Sequence, residues 1–187
     1  MLRHMTVTRD WTWVHRAALI GLFVALTALS AQFRFYLNSP APYTLQVMVV
    51  LLSGMILGAR DGAFAQIAYI ALIGAGAPIA SGAVGGMSVL TGVTAGYIIG
   101  FIPAAWVAGY LVEHGATRAW QRFLAGLVGV SIIYACGLPV MKLVLGVDWT
   151  TAWTLSVAPF IAFDVVKAII AAGFTETGRA LIMRYRG

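Results

Sequence analysis

Long apolar runs separated by short polar segments limit the possible folds of this chain more than any other feature. Hydrophobic residues make up 61% of its 187 residues and charged residues 10%, whereas a soluble domain contains roughly 25% charged residues. A helix that crosses a bilayer needs about 20 mainly apolar residues. The sequence therefore predicts about six spans with short loops and leaves no stretch for a separate soluble domain.

The predicted architecture is an all-α membrane protein that forms a bundle of six transmembrane helices. Residues 1–187 are expected to form a single integral membrane domain, with a basic N-terminal tail at about residues 1–12. The helices are expected at residues 13–35, 44–57, 63–77, 92–112, 119–145 and 151–184. Pro103, Pro139 and Pro159 fall inside these helices and are expected to kink or interrupt them.

Basic residues are distributed unevenly between the two predicted sides of the membrane. If the N-terminus is cytoplasmic, the outer side carries only Arg34 and Lys142. The cytoplasmic side then carries Arg3, Arg9, Arg16, Arg60, Arg118, Arg122, Arg179, Arg184 and Arg186. This bias predicts a multi-pass protein of the cell inner membrane with both termini in the cytoplasm. The net charge of +6 therefore reflects topology, and no nucleic-acid partner is expected beside the lipid bilayer.

Asp164 and Lys167 are a charged pair within the otherwise apolar middle of the last predicted helix. Residues three positions apart share one helix face, about 5–6 Å from each other. A lone charge in hydrocarbon costs several kcal/mol, so the two side chains are expected to face the bundle interior and pair. They form either a structural ion pair or a site for a compact ligand with both an N–H and a C=O group. Removing two charges from water offsets much of their mutual attraction, so a buried ion pair stabilises a fold poorly. This favours the ligand-binding interpretation.

Two further segments are candidates for ligand binding. The glycine-rich segment between the third and fourth helices contains Gly85 and Gly86, which allow tight turns and close approach to a ligand. It is not a phosphate loop, because no Lys-Ser or Lys-Thr follows it. Tyr43 and Gln46 form a polar, aromatic cluster at the start of the second helix. The alternatives are a flexible loop for the first segment and an interfacial anchor for the second.

Small residues recur every fourth position in two helices, and such ridges let helix backbones approach closely. The ridge from Gly92 to Ala108 in the fourth helix is expected to pack within the bundle. In the first helix, Ala17, Gly21 and Ala25 face either the bundle or a partner subunit.

No catalytic, metal-binding or cofactor-binding residues are predicted. Cys136 is the single cysteine, so no disulfide and no cysteine-based metal site can form within one chain. His4, His15 and His114 are widely spaced and follow no metal-ligand pattern. No Ser-His-Asp or Cys-His arrangement occurs at membrane depth, and the chain is therefore not expected to be an enzyme.

Several motifs together carry a family resemblance. They are Pro42-Tyr43-Thr44-Leu45-Gln46, Leu57-Gly58 with Gly62, Gly85-Gly86, Gly96-Tyr97 with Gly100-Phe101, and Asp164-x-x-Lys167. In this combination, which covers most of the chain, they resemble the BioY family, the biotin-specific S components of energy-coupling-factor (ECF) vitamin transporters.

The resemblance implies a six-helix subunit that captures biotin, as substrate rather than cofactor, from the outer side. A membrane coupling subunit and cytoplasmic ATPase subunits would then drive uptake, in agreement with the absence of a Walker motif here. Ala17, Gly21 and Ala25 would contact the coupling subunit, with Gly21 a mild departure from an alanine pattern. The implied binding residues are Asp164, Lys167, Tyr43, Gln46, Gly85, Gly86 and Tyr97.

The chemistry of biotin suggests a role for each charge. Asp164 would accept from a ureido N–H and Lys167 would donate to the ureido carbonyl, or Lys167 would instead reach the carboxylate. Two functional alternatives stay open, an S component for another vitamin and a self-contained proton-coupled carrier with Asp164 as its proton site. An intramembrane enzyme is disfavoured, and a purely structural protein would leave the charged pair without a ligand.

Overall fold

The structure, a computed structural model, describes residues 12–37 and 39–184. Arg3, His4 and Arg9 of the predicted tail, together with Arg186, lie outside the described residues. The helices are α1 Trp13–Gln32, α2 Gln46–Leu57, α3 Ala59–Gly74, α4 Met87–Thr91, α5 Ala95–Glu113, α6 Ala119–Leu145, α7 Trp149–Ser156 and α8 Ile161–Arg184. A short antiparallel hairpin joins α1 to α2 and consists of β1 Arg34–Phe35 and β2 Tyr43–Thr44.

The described residues form a mostly helical membrane protein. Helices α1, α5 and α6 are long and apolar enough to cross a membrane, and α7 with α8 makes a fourth candidate span that is bent by 48°. Helices α2 and α3 have only 12 and 16 residues. The predicted number of six spans therefore depends on these two shorter helices.

The turn between α2 and α3 is tighter than the sequence suggested. The predicted helices end at residue 57 and resume at residue 63, but Gly58 alone separates α2 from α3, with a φ of 95° that favours glycine. Asp61 consequently lies in the first turn of α3, where the helix dipole stabilises a carboxylate. Its carboxylate pairs with Arg16 of α1, with 2.5 Å between Arg16 Nη2 and Asp61 Oδ1.

The three prolines behave differently from one another. Pro103 and Pro139 lie inside continuous helices α5 and α6, so the expected interruption does not occur there. Packed neighbouring helices tolerate the loss of one backbone hydrogen bond in a membrane helix. Pro159 instead lies in the break between α7 and α8. The interruption expected at this proline is confirmed, and the helix predicted over residues 151–184 is divided in two there.

Helix α5 packs in the centre of the bundle, and its small residues explain how. A Cβ atom on Gly96 would meet the carbonyl oxygen of Cys136, and one on Gly100 would lie 3.0 Å from the Cys136 Cβ on α6. Ala104 and Ala108 of the same ridge are fully buried. These contacts confirm the predicted packing for Gly96 to Ala108, whereas Gly92 lies before α5 and lines the cavity described below. The absence of larger side chains lets α5 and α6 approach backbone to backbone.

The two ends of the bundle differ in character. At one end, the starts of α1 and α3 meet through Arg16 and Asp61, and Arg179 near the end of α8 donates to the carbonyl oxygen of Met55 in α2 (3.1 Å). At the other end lie the hairpin and the glycine-rich segment around α4. This second end surrounds the candidate site.

Candidate ligand-binding site

A cavity of about 390 Å³ lies among the hairpin, the glycine-rich segment and helices α5, α6 and α8. Most of its wall is apolar, and a limited set of polar side chains converges on it. These are Tyr36, Thr44, Gln46, Ser81, Ser88, Thr94, Tyr97, Tyr134, Ser156, Asp164 and Lys167. An apolar chamber with a few placed polar groups is typical of a small-molecule site.

Asp164 and Lys167 form a buried ion pair in the wall of this cavity. Lys167 Nζ donates to Asp164 Oδ1 at 2.7 Å, and the two residues are 8% and 2% exposed. Tyr134 on α6 donates to the other carboxylate oxygen, Oδ2, at 2.6 Å. The expected pairing toward the bundle interior is therefore confirmed. A role of the pair in binding stays a prediction.

The local sequence explains why Asp164 lies where it does. Because Pro159 has no backbone N–H, the chain breaks between α7 and α8, and α8 begins at Ile161. Asp164 therefore lies in the first turn of α8. The prediction that it lies in the middle of a helix was wrong. The partial positive charge of the helix N-terminus stabilises a carboxylate at this position.

Two tyrosines predicted as binding residues satisfy carbonyl groups at this break. Tyr43 donates to the carbonyl oxygen of Pro159 at 3.1 Å, and Tyr97 donates to that of Ser156 at 3.3 Å. Tyr97 lines the cavity, whereas Tyr43 lies behind the lining residues and stacks on Phe160 with 4.2 Å between ring centroids. Helix ends leave carbonyl groups unpaired, so both tyrosines support the break that positions Asp164.

Gln46 lines the cavity and links three elements. Its Nε2 atom donates to the Tyr69 hydroxyl of α3 at 2.9 Å, and that hydroxyl donates to the carbonyl oxygen of Ile79 at 3.1 Å. The Thr44 hydroxyl donates to Gln46 Oε1 at 3.2 Å. The start of α2, the hairpin and the glycine-rich segment are therefore held together beneath the cavity.

Gly85 and Gly86 lie outside the residues that line the cavity. A Cβ atom on Gly85 would collide with the carbonyl oxygen of Ala77, and Gly86 has a φ of 94°. Both glycines therefore shape the turn that leads into α4. The neighbours Ser81 and Val84 line the cavity instead.

Gln32, at the end of α1, makes hydrogen bonds that link the glycine-rich segment to the bundle. Its Nε2 atom donates to the carbonyl oxygen of Ala80, and its Oε1 atom accepts from the backbone N–H of Ala83, both at 3.1 Å. This role of Gln32 was not predicted, because no local sequence pattern connects it with residues 48 to 51 positions away.

Tyr134, Ser81 and Ser156 also line the cavity, and none of the three was predicted individually as a binding residue. The hydroxyl oxygens of Ser81 and Ser156 are buried and have no hydrogen-bond partner within the described part of the chain. A buried hydroxyl without a partner is costly, and rotation of either side chain could turn its hydroxyl toward the cavity that the residue lines. No three His, Cys, Asp or Glu side chains of the described residues come together as a metal site.

The small residues of α1 lie away from the cavity. Ala17, Gly21 and Ala25 are all exposed. No atom outside the helix lies within 4 Å of the Cβ position of Gly21. This face of α1 is therefore not covered within the described residues.

Comparison with known proteins assigns the chain to a family. The model of the BioY family matches residues 3–184. The chain belongs to the BioY family. The resemblance noted in the sequence is thereby confirmed, and this is a family of transporter components and not of enzymes.

Named BioY relatives match most of the chain. The biotin transporter BioY of Rhizobium etli is 38% identical over 154 residues, which are 78% of this chain and 80% of the relative. The biotin transporter BioY of Thermotoga maritima is 38% identical, with 81% and 88% of the two chains covered. That of Rhodobacter capsulatus is 36% identical over 181 residues, with 90% and 93% covered.

A solved structure shares the BioY-family fold seen here. The crystal structure of an S component for biotin from an ECF-type ABC transporter matches with a TM-score of 0.79. The match covers 92% of this chain and 91% of that one at 21% sequence identity. The helix arrangement described above is therefore the S-component fold.

Proposed function

We propose that this BioY-family chain captures biotin with high affinity, as the substrate-binding S component of an ECF-type vitamin transporter. The names of its relatives support the substrate. The observation that carries the proposal is the Asp164–Lys167 pair with Tyr134 in the wall of an apolar cavity.

The pair complements the head group of biotin. The ureido group has two N–H donors and one carbonyl acceptor, and it is neutral. A carboxylate offers about four acceptor positions and an ammonium group three donor positions. After their mutual contact and the Tyr134 hydrogen bond, Asp164 can still accept from a ureido N–H and Lys167 can still donate to the carbonyl. Hydrogen bonds to charged groups are the stronger class.

The rest of the cavity suits the fused rings of biotin. Its volume of about 390 Å³ lies in the range of about 300–1,000 Å³ usual for small-molecule sites. Val47, Ile98, Phe101, Ile133 and Phe160 contribute apolar wall. Burial of the thioether ring against them would supply affinity without directional contacts.

The proposed topology is six spans in a single integral membrane domain of the cell inner membrane, with both termini in the cytoplasm. Helices α1, α2, α3, α5, α6 and the bent α7–α8 pair would be the spans. Clustering of Arg16, Arg122 and Arg179 at the end away from the cavity supports this orientation through the positive-inside rule. The cavity would then open toward the outer side.

We further propose that transport depends on partner subunits. A membrane coupling subunit would dock on the exposed face of α1 with Ala17, Gly21 and Ala25, because small residues allow close packing of helices. Hydrolysis of ATP would occur in separate cytoplasmic subunits. Biotin is the transported substrate in this scheme.

Calorimetric titration of the detergent-purified chain tests the capture function. Biotin should bind tightly without ATP or partner subunits, desthiobiotin should compete, and thiamine should give no heat. A folded, monodisperse sample that releases no heat with biotin would refute the assignment. Tight binding of thiamine instead would indicate an S component for another vitamin, and uptake of biotin into proteoliposomes without any ATPase would indicate a self-contained carrier.

A further inference from the structure

Arg34 lies against the glycine-rich segment, next to two residues that line the cavity, Tyr36 and Ser81. A Cβ atom on Gly82 would collide with Nη1 of the Arg34 guanidinium, and Gly82 has a φ of 92°. The close approach therefore depends on glycine at this position. The guanidinium carbon also lies 6.0 Å from the ring centroid of Tyr36, which lines the cavity.

The charge of Arg34 has no counterion within the described residues. Arg16, Arg122 and Lys167 each pair with a carboxylate. Within residues 12–37 and 39–184, Arg34 instead packs on Gly82 and makes a cation–π contact with Tyr36. A guanidinium group presents a planar fork of N–H donors that matches a carboxylate. Arg34 is therefore a cation next to cavity-lining residues, with its anion-binding geometry unused.

Ser81 provides a second, independent observation at the same place. It precedes Gly82 in the chain and lines the cavity, and its hydroxyl is buried without a hydrogen-bond partner among the described residues. Rotation of the Ser81 side chain about its Cα–Cβ bond can turn the hydroxyl toward the cavity. There it can donate to an acceptor group of a ligand. A donor in the cavity wall thus lies beside the Arg34 cation.

The opposite wall is less suited to an anion. Lys167 is already balanced by Asp164 at 2.7 Å, so a ligand carboxylate placed there would face a second carboxylate. Like charges at short distance in a medium of low dielectric repel strongly. A ligand with a neutral head at the α8 wall therefore directs its anionic tail toward Ser81 and Arg34.

We propose that Arg34 and Ser81 form a carboxylate subsite that holds the anionic tail of the ligand. The inference rests on the proposed capture of biotin and extends it, because it assigns the tail to residues outside the Asp164–Lys167 pair. Arg34 sets specificity for a monocarboxylate over its neutral derivatives, and the glycine at position 82 keeps room for the guanidinium.

Titration of two proteins with two ligands tests the subsite. Wild type and Arg34→Gln are titrated with biotin and with its neutral primary amide. The wild type should bind biotin about ten- to a hundredfold more tightly than the amide, as expected for charge-assisted hydrogen bonds. Arg34→Gln should lose most of this preference and bind the amide as the wild type does. Unchanged affinity for the amide also reports a folded site.

Three further arms sharpen the result. Arg60→Gln removes an exposed arginine whose contact is with Phe64, and it should keep the full preference for biotin. Ser81→Ala should reduce the preference in part. Higher ionic strength should weaken binding of biotin to the wild type more than binding of the amide, since Arg34 is exposed.

The outcomes separate the subsite from the function on which it rests. A preference for biotin that survives in Arg34→Gln, with no extra salt dependence for biotin, would overturn the subsite and leave biotin capture intact. Failure of the folded wild type to bind either ligand would overturn biotin capture and the subsite together. Loss of the preference in Arg34→Gln, with Arg60→Gln unchanged, would establish the subsite.

Discussion

Tyr134 of α6 donates a 2.6 Å hydrogen bond to Oδ2 of Asp164 of α8, which lies 30 positions further along the chain. Lys167 donates to the other oxygen, Oδ1. Each carboxylate oxygen thus has one protein donor and keeps a lone pair for a ligand. The carboxylate is held in one orientation by two elements, so a ligand meets a preorganised acceptor and does not have to order it.

Tyr134→Phe should weaken binding of biotin by about tenfold, because it removes one hydrogen bond to a charged group and frees the carboxylate to rotate. The fold should be unaffected, since only the hydroxyl is lost. Tyr110→Phe is the matched control, because Tyr110 is exposed and stacks on Trp106 away from the cavity. Calorimetry on both variants checks the effect, and equal affinities would show that Tyr134 does not orient Asp164.

Asp164→Asn should abolish tight binding of biotin, because it removes the charged acceptor for the ureido group. It also leaves Lys167 unpaired in a buried site, which typically costs about 3–5 kcal/mol of stability. The double variant Asp164→Asn with Lys167→Met removes this charge and should recover thermal stability without recovering affinity. If the double variant recovered both thermal stability and affinity for biotin, Asp164 would matter for the stability of the fold and not for contact with biotin.

The control for Asp164 is the same substitution at an exposed position. Asp148 caps α7, where its carboxylate accepts from the backbone N–H of Thr151 at 2.7 Å. Asparagine caps a helix about as well as aspartate. Asp148→Asn should therefore keep both the fold and the affinity for biotin. A loss of affinity there would point to a general effect of charge at this end of the bundle.

Local patterns in the sequence predicted a part of this site. The i, i+3 spacing of Asp164 and Lys167, in apolar surroundings, indicated a buried pair, because helix geometry alone brings such side chains together. The small residues of α5 likewise indicated close helix packing. Both predictions concern neighbours on one helix face, which the sequence encodes at fixed spacing.

The contacts that complete the site depend on tertiary packing. Tyr134 approaches Asp164 only because α6 and α8 pack together, and no spacing rule links positions 30 apart. Tyr43 donates to the carbonyl oxygen of Pro159 at the break between α7 and α8. This contact also depends on tertiary packing, and the role of Tyr43 in ligand binding stays a prediction. A proline inside a predicted helix was expected either to kink the helix or to interrupt it. Which of the two occurs depends on packing against neighbouring helices, which the local sequence does not show.

Gln32→Ala should loosen the glycine-rich segment and speed the dissociation of biotin by about three- to tenfold, as expected for two neutral hydrogen bonds. Hydrogen exchange at the Ala83 amide should rise together with the dissociation rate. Gln121→Ala is the control, because its side chain clamps the backbone N–H of Thr117 and Arg118 at the other end of the bundle. Slow exchange at Ala83 in Gln32→Ala would contradict this role.

Gly21→Leu should separate capture from transport. Gly21 lies on the uncovered face of α1 with nothing within 4 Å of its Cβ position, so affinity for biotin should not change. If a coupling subunit packs closely there, a leucine would prevent it, and ATP-dependent uptake in cells with the partner subunits should fall. Ala135→Leu, on the exposed face of α6, is the control. Equal uptake by the two variants would place the interface elsewhere.

Gly54→Ala should destabilise the bundle core, because its Cβ would collide with the carbonyl oxygen of Ala105 where α2 crosses α5. Overpacking of this kind costs about 1–3 kcal/mol, since backbone rather than a flexible side chain must move. Gly21→Ala adds the same methyl group in open space and should be neutral or slightly stabilising, as alanine favours helix by about 1 kcal/mol over glycine. Thermal unfolding in detergent compares the two. A lower Tm for Gly54→Ala alone would establish the crossing as a backbone contact, whereas equal Tm values would show that α2 and α5 can separate without cost.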